Sequence, residues 1–182
     1  MADLKITAMT SLAATAIRAD LLHVIDDPTG TPINKKVTIG EMLDAIHAPV
    51  DIAAANSIAI SAVANGGRTS VINDHTGVST ITLPTPSVGL SFHFIYGGAA
   101  AEAQDHIITT GANAKFFKGG ITHLDQTADE NALAVFSDND SNSKLTLNNM
   151  AHLDLHFLGA SATVYFVWGF ITSDTVPAFA DQ

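Results

Sequence analysis

The sequence predicts a mainly β protein, with a small N-terminal hairpin-plus-helix module followed by a jelly-roll-like antiparallel β-sandwich. From Arg68 onward, strand candidates recur at a spacing of about ten residues with turn residues between them, which is typical of sandwiches. Before Arg68 the rhythm is different. Charged residues make up 14% of the chain and hydrophobic residues 47%. This low charge fits a β-rich protein that buries much of its surface against other chains.

Residues 1–50 are predicted to form the N-terminal module. The turn residues Asp27-Pro28-Thr29-Gly30 separate two strand candidates, LLHVI and NKKVTI. Thr38 and Glu41 have the spacing of a capping box, so we expect a helix to begin after Thr38. The helix should end before Pro49, because a residue that precedes proline is disfavoured in helical geometry. The module has too few apolar residues for a large core, and we expect it to pack on something else.

Residues 51–67 combine an alanine-rich stretch with a short alternating pattern and end in the breaker Asn65-Gly66-Gly67. We interpret them as a connector. Residues 68–182 are then the sandwich domain. Within it, Pro84 and Pro86 should end a strand, because proline cannot donate a hydrogen bond to a sheet.

Composition argues against several classes of function. Eight basic residues against 18 acidic ones give a net charge of -10, which is unfavourable for direct nucleic-acid binding. No apolar run reaches the roughly 20 residues that span a bilayer, so we expect no membrane insertion. The N-terminus lacks the apolar core of a signal peptide. The chain has no cysteine, which excludes disulfides and cysteine-ligated metals within it.

One loop resembles the start of a calcium-binding loop. Asp138, Asp140 and Asn142 match its first ligand positions. However, Ser143 stands where glycine is needed, and Asn149 stands where a bidentate glutamate is needed. We therefore interpret this stretch as a polar hairpin loop between the strands ALAVF and KLTLN, and we predict no metal there.

A second candidate metal group lies in HLDLHF. In a strand, His152, Asp154 and His156 point to one face, and these side chains suit zinc or nickel. Residues two apart on a strand are about 6.6–6.8 Å apart, so the outer histidines should be about 13 Å apart. We therefore predict no metal shared within one chain. The face is then solvated or part of an interface, with Asp154 paired to a histidine. The alternative that a metal binds on an axis where three chains meet is left open.

The sequence carries no recognised catalytic motif. There is no G-x-S-x-G elbow, no phosphate loop and no G-x-G-x-x-G. We predict no enzyme activity, no catalytic residues and no cofactor. A glycosidase-type carboxylate pair has no local spacing rule and stays open as a less favoured alternative.

The segment TVYFVWGFI, residues 163–171, is apolar on both of its predicted faces. One face of a sandwich strand lies in the core, and the other normally meets water. An apolar outer face therefore predicts contact with a neighbouring subunit, although a loop or arm of the same chain could cover it instead. The candidate oligomer-interface residues are Val164, Tyr165, Phe166, Trp168 and Phe170.

Four segments in order resemble the virion structural proteins of tailed phages, of the capsid decoration, cement or head-fibre type. They are ADLLHVIDDPTGTPINKKVTIGEML, GGRTSVINDHTGVSTITLPTPSVGLSFHFIY, LAVFSDNDSNSKLTLNN and VYFVWGFITSDTVPAFAD. The resemblance implies a homotrimer on the capsid exterior of the virion, assembled in the host cytoplasm. Such a protein decorates and cements the capsid by bridging capsomers.

The resemblance also implies partners. The N-terminal module would attach to the major capsid protein or to another virion protein. Its candidate attachment residues are Leu22, Val24, Lys35, Lys36 and Val37. The alternative is a short head or tail fibre protein whose sandwich domain binds a host surface glycan.

Overall fold

The structure is a computed structural model that describes residues 21–26, 33–98, 102–127 and 132–182. The chain divides into two compact units, one ending at His47 and the other beginning at Ala48. The described residues are mainly β, as the sequence predicts.

The N-terminal unit contains strands β1 (Leu21–Asp26) and β2 (Ile33–Thr38), which pair antiparallel, and helix α1 (Ile39–His47). The capping box is present. The hydroxyl oxygen of Thr38 accepts from the backbone N–H of Glu41 at 3.0 Å, and the carboxylate of Glu41 accepts from the backbone N–H of Thr38 at 2.8 Å. The predicted helix start and its end before Pro49 are therefore confirmed. The predicted turn at 27–30 lies outside the described residues.

The described residues of the second unit form two sheets and one short helix. One sheet has seven strands in the order β10-β9-β13-β12-β7-β5-β3, and the other has five in the order β14-β11-β8-β6-β4. The elements are β3 (Val50–Asp51), β4 (Ser57–Ala59), α2 (Ala62–Asn65), β5 (Thr69–Ile72), β6 (Ser79–Thr82), β7 (Ser91–Tyr96), β8 (His106–Thr109), β9 (Phe116–Asp125), β10 (Ala132–Phe136), β11 (Lys144–Leu147), β12 (Met150–Gly159), β13 (Val164–Ser173) and β14 (Ala178–Ala180).

Strands β3 to β8 alternate between the two sheets and wind as a coil. Each of β3, β4, β5 and β6 pairs in parallel with the strand two places further along the chain. This pairing corrects the antiparallel expectation for this part of the fold. The ten-residue rhythm predicts how far apart the strands are in the chain, but not how they are connected. A hairpin reverses the chain and gives antiparallel neighbours, whereas a chain that crosses to the opposite sheet and back gives parallel neighbours.

The segment interpreted as a connector, residues 51–67, forms most of the first turn of this coil. It contributes β4 and α2, and its Ile52 and Ile60 are buried in the core. These residues therefore belong to the second unit and do not link it to the first. The alternating pattern in this stretch was the correct signal for a strand.

The remaining strands pair mainly antiparallel. β12 lies between β7 and β13, β10 pairs with β9, and β11 lies between β8 and β14. β13 and β9 pair in parallel. Gly169 on β13 has a φ of 133°, and a Cβ there would overlap the carbonyl oxygen of Asp154 on β12. Glycine therefore permits the close approach of these two strands.

The core lies between the two sheets. The seven-stranded sheet contributes both aromatic and aliphatic side chains, and the fully buried aromatic ones are Phe92, Phe94, Phe117, Phe157 and Tyr165. The five-stranded sheet contributes aliphatic side chains such as Ile81, Ile108 and Leu145. The rings of Phe117 and Phe179, from opposite sheets, have centroids 6.2 Å apart. We call the opposite side of the seven-stranded sheet its outer face.

Candidate functional site

A row of four side chains crosses the outer face, and strand register places them next to one another. Thr69 on β5 is paired with His93 on β7, His93 with His156 on β12, and His156 with Trp168 on β13. Directly opposed residues on neighbouring strands have Cβ atoms about 4.5–5.5 Å apart. The sheet thus brings together residues that are far apart in the chain.

Two histidines of this row share one carboxylate. The Nε2 atoms of His93 and His156 each lie 3.0 Å from Oδ1 of Asp154, which precedes His156 by two residues on β12. We call these residues the His–Asp–His cluster. Its side chains are 31%, 39% and 37% exposed for His93, Asp154 and His156. One potential ligand atom from each residue lies within 4.8 Å of the others.

The rings of the row are stacked. The imidazoles of His93 and His156 have centroids 4.3 Å apart and planes 2° apart. The indole of Trp168 continues the stack on His156, at 5.3 Å and 8°. On the other side, Nδ1 of His93 lies 3.0 Å from the hydroxyl of Thr69. The stack therefore ends in a hydrogen bond at one end and in a half-exposed indole at the other.

Most of the predicted interface residues lie on this face. Phe166 and Trp168 are each 46% exposed, and Val164 and Phe170 are partly buried. Tyr165 is different, because it points into the core and its hydroxyl donates to the carbonyl of Pro84 at 3.1 Å. Its inclusion among surface candidates is corrected, since the alternation of a strand places it opposite to Phe166 and Trp168.

The predicted attachment residues lie in the N-terminal unit. Leu22, Val24, Lys35 and Lys36 are exposed, and Val37 is partly buried. Their accessibility is compatible with attachment, and their role stays a prediction.

The prediction that His152, Asp154 and His156 share a face agrees with the structure, in which His156 binds Asp154 and all three side chains are accessible. His152 is outside the cluster and stacks on Phe170 at 5.2 Å. Sequence reasoning missed His93, because the pairing of β7 with β12 is not encoded locally. A signal was present, since His93 alternates with the buried Phe92 and Phe94 and must therefore face outward.

The calcium-like loop is closed by its own backbone. Oδ1 of Asp138 accepts from the backbone N–H groups of Asp140, Ser141 and Asn142, each at 3.0 Å. These hydrogen bonds hold the pKa of Asp138 well below its usual range. The loop is polar, as predicted, but it is not a hairpin, because β10 and β11, the strands on either side of it, belong to different sheets.

A second imidazole–carboxylate pair is buried in the same unit. Nε2 of His106 lies 3.0 Å from Oε2 of Glu102, and the two residues are 2% and 4% exposed. Glu102 also accepts from the backbone N–H groups of His75 and Gln104. Burial raises the pKa of Glu102, but the hydrogen bonds from His106, His75 and Gln104 outweigh it and lower the pKa overall. Nδ1 of His106 is buried without a hydrogen-bond partner.

Comparison with known protein families and with curated protein sequences finds no match to this chain. Within the described ranges, no helix is both long enough and apolar enough to cross a membrane.

Proposed function

We propose that the protein is a structural component of a phage virion that decorates and cements the capsid as a homotrimer. The observation that carries this proposal is the pair of half-exposed rings of Phe166 and Trp168 on the outer face. Their strand, β13, has neighbours on both sides in the sheet. Large apolar side chains exposed together mark surfaces that bind another protein, and aromatic residues are enriched in the cores of such interfaces.

The N-terminal unit supports an attachment role within this proposal. Leu21, Leu22 and Val24 of the hairpin, and Met42 and Ile46 of the helix, are all exposed. Docking this apolar surface on the major capsid protein, or on another virion protein, would remove it from water. Within this proposal the two-sheet unit lies on the capsid exterior, as the resemblance to phage virion proteins implies.

The alternative is a short head or tail fibre protein that binds a host glycan. One observation favours it: the indole of Trp168 lies beside His156 and near the carboxylate of Asp154. Binding sites for small ligands combine aromatic surfaces with a few placed polar groups. An aromatic ring next to hydrogen-bonding groups suits a sugar, which has apolar C–H faces and polar hydroxyls.

The oligomeric state tests the proposed interface. We expect the wild-type chain, of 19.0 kDa, to sediment as a trimer of about 57 kDa at micromolar concentration. The double variant Phe166→Ser/Trp168→Ser should sediment as a monomer with an unchanged far-UV circular dichroism spectrum. Val63→Ser, at a position 97% exposed on α2, is the matched control and should stay trimeric. A monomeric wild type, or a trimeric double variant, would contradict the interface.

The place of the protein on a particle separates the two candidate functions. Antibodies against the chain should label purified particles in a regular array over the capsid in negative-stain images. Label confined to fibres or to the tail tip would favour the glycan-binding alternative. Particles without label would reject both candidates.

A further inference from the structure

We infer that the His–Asp–His cluster is a binding site for one divalent transition-metal ion per chain, with zinc as the preferred ion. Neutral imidazole nitrogen and carboxylate oxygen are ligands of Zn²⁺, and imidazole also suits Ni²⁺, Cu²⁺ and Co²⁺. Mg²⁺ and Ca²⁺ prefer sites made of oxygen ligands. The donor set of His93, Asp154 and His156 therefore selects the transition metals.

The separations of the donor atoms are close to those that such an ion needs. With metal–ligand distances of about 2.0–2.1 Å, tetrahedral ligand atoms lie about 3.3 Å apart. The Nε2 atoms of His93 and His156 are each 3.0 Å from Oδ1 of Asp154. Two edges of the ligand triangle thus need to open by only a few tenths of an ångström. His152 and His156 were expected to be about 13 Å apart on one strand, too far to share an ion. In the structure the second histidine is instead His93, on the neighbouring strand.

The surroundings of the cluster position one ligand in advance. Metal-bound histidines commonly hydrogen-bond through the ring nitrogen that does not touch the metal, and this contact fixes the ring. The hydroxyl of Thr69 makes this contact with Nδ1 of His93. A hydroxyl both donates and accepts, so the contact survives when the imidazole proton moves from Nε2 to Nδ1 to free Nε2 for the ion.

Binding requires a rotation of the rings. In the structure the two imidazoles are nearly parallel, with planes 2° apart, so their Nε2 lone pairs cannot both point at one ion. The rings must turn until the lone pairs converge. Because the indole of Trp168 stacks on His156, this rotation changes the surroundings of the indole. Three protein ligands leave a fourth position for water, as in open zinc sites.

The fluorescence of Trp168, the one tryptophan of the chain, gives a direct measurement. Untagged full-length protein is stripped with EDTA, dialysed and titrated with Co²⁺, a paramagnetic ion expected to quench a nearby indole. We expect saturable quenching that ends at one ion per chain. Added Zn²⁺ should displace Co²⁺ and restore the fluorescence, because zinc binds such sites more tightly than cobalt.

Matched variants locate the ion. Asp154→Asn and His93→Ala, which remove a ligand, should each weaken Co²⁺ binding by more than about 100-fold. Thr69→Val, which removes the contact to the outer nitrogen, should weaken it about tenfold, the low end of the effect of such contacts. His152→Ala is the control, because His152 is on the same strand and the same face but outside the cluster. It should bind as the wild type does. Circular dichroism melts of all four variants establish that they are folded.

Three results would overturn the inference. The first is the absence of saturable quenching with Co²⁺ in large excess over the wild-type chain. The second is a loss of binding in His152→Ala equal to that in His93→Ala. The third is saturation at one ion for three chains, which would place the metal on an axis between subunits. None of these results depends on where the protein resides on a particle.

Discussion

Glu102–His106 and the His–Asp–His cluster are built from the same chemical groups in opposite surroundings. In the buried pair Glu102 is 4% exposed and His106 is 2% exposed, and the carboxylate also accepts hydrogen bonds from two backbone N–H groups. The carboxylate of the cluster is 39% exposed and binds two imidazoles. In the first case the hydrogen bonds compensate for the burial of a charge. In the second, water solvates the groups and leaves them free to exchange partners.

The buried pair and the exposed cluster differ in what happens when a side chain loses its hydrogen-bond partner. A buried carboxylate deprived of its donors, or a buried imidazole deprived of its carboxylate, has no water to replace the lost partner, so the cost falls on stability. An exposed group regains hydrogen bonds from solvent, so its loss costs little. We therefore expect the buried pair to stabilise the fold, whereas the cluster is available for binding.

Replacing the buried carboxylate should have the largest effect. We expect Glu102→Gln to lower the free energy of unfolding by about 3 kcal/mol at pH 7, because buried His106 loses its charged partner. Urea unfolding followed by circular dichroism measures the change. A loss below about 0.5 kcal/mol, the range of ordinary surface substitutions, would show that the pair is not structural.

The same pair should give stability a dependence on acid pH. The pKa of Glu102 is lowered in the folded state from its ordinary value of 4.5, so its contribution is fully present above pH 4.5 and is lost as the pH falls through the lower folded pKa. The difference in urea midpoint between the wild type and Glu102→Gln should therefore stay constant from neutral pH down to about pH 5 and shrink below it. A difference that grows on acidification would reverse the assigned direction.

The exposed carboxylate should give the smallest effect. We expect Asp154→Asn to change the free energy of unfolding of the metal-free protein by less than about 1 kcal/mol, since its partners are open to water. The measurement is the same urea series, run in EDTA. If Asp154→Asn lowered the free energy of unfolding as much as Glu102→Gln does, the cluster would be structural, and the two sites would not differ in role.

Local patterns in the sequence predicted local features correctly. The capping box of Thr38 and Glu41 involves residues three apart, and the shared face of Phe166 and Trp168 follows from the alternation of one strand. Which face of that strand is the outer one depends on the rest of the fold. Parallel pairing of β3 to β8 was not predictable in this way, because the choice between a hairpin and a crossover depends on the other sheet. The partnership of His93 with Asp154 depends on register between strands separated by more than 50 residues.

The coil formed by β3 to β8 makes this part of the chain a short repeat array. In such arrays each turn is stabilised chiefly by its neighbours, so stability is approximately a sum over adjacent turns. Among the described strands, β3 pairs only with β5 and β4 only with β6, so both lie at sheet edges. Of the strands of the coil, these two should exchange their amide hydrogens first, and both should exchange faster than β12, which is flanked by β7 and β13. Local unfolding would then begin at the turn that follows the N-terminal unit and leave the outer-face row assembled.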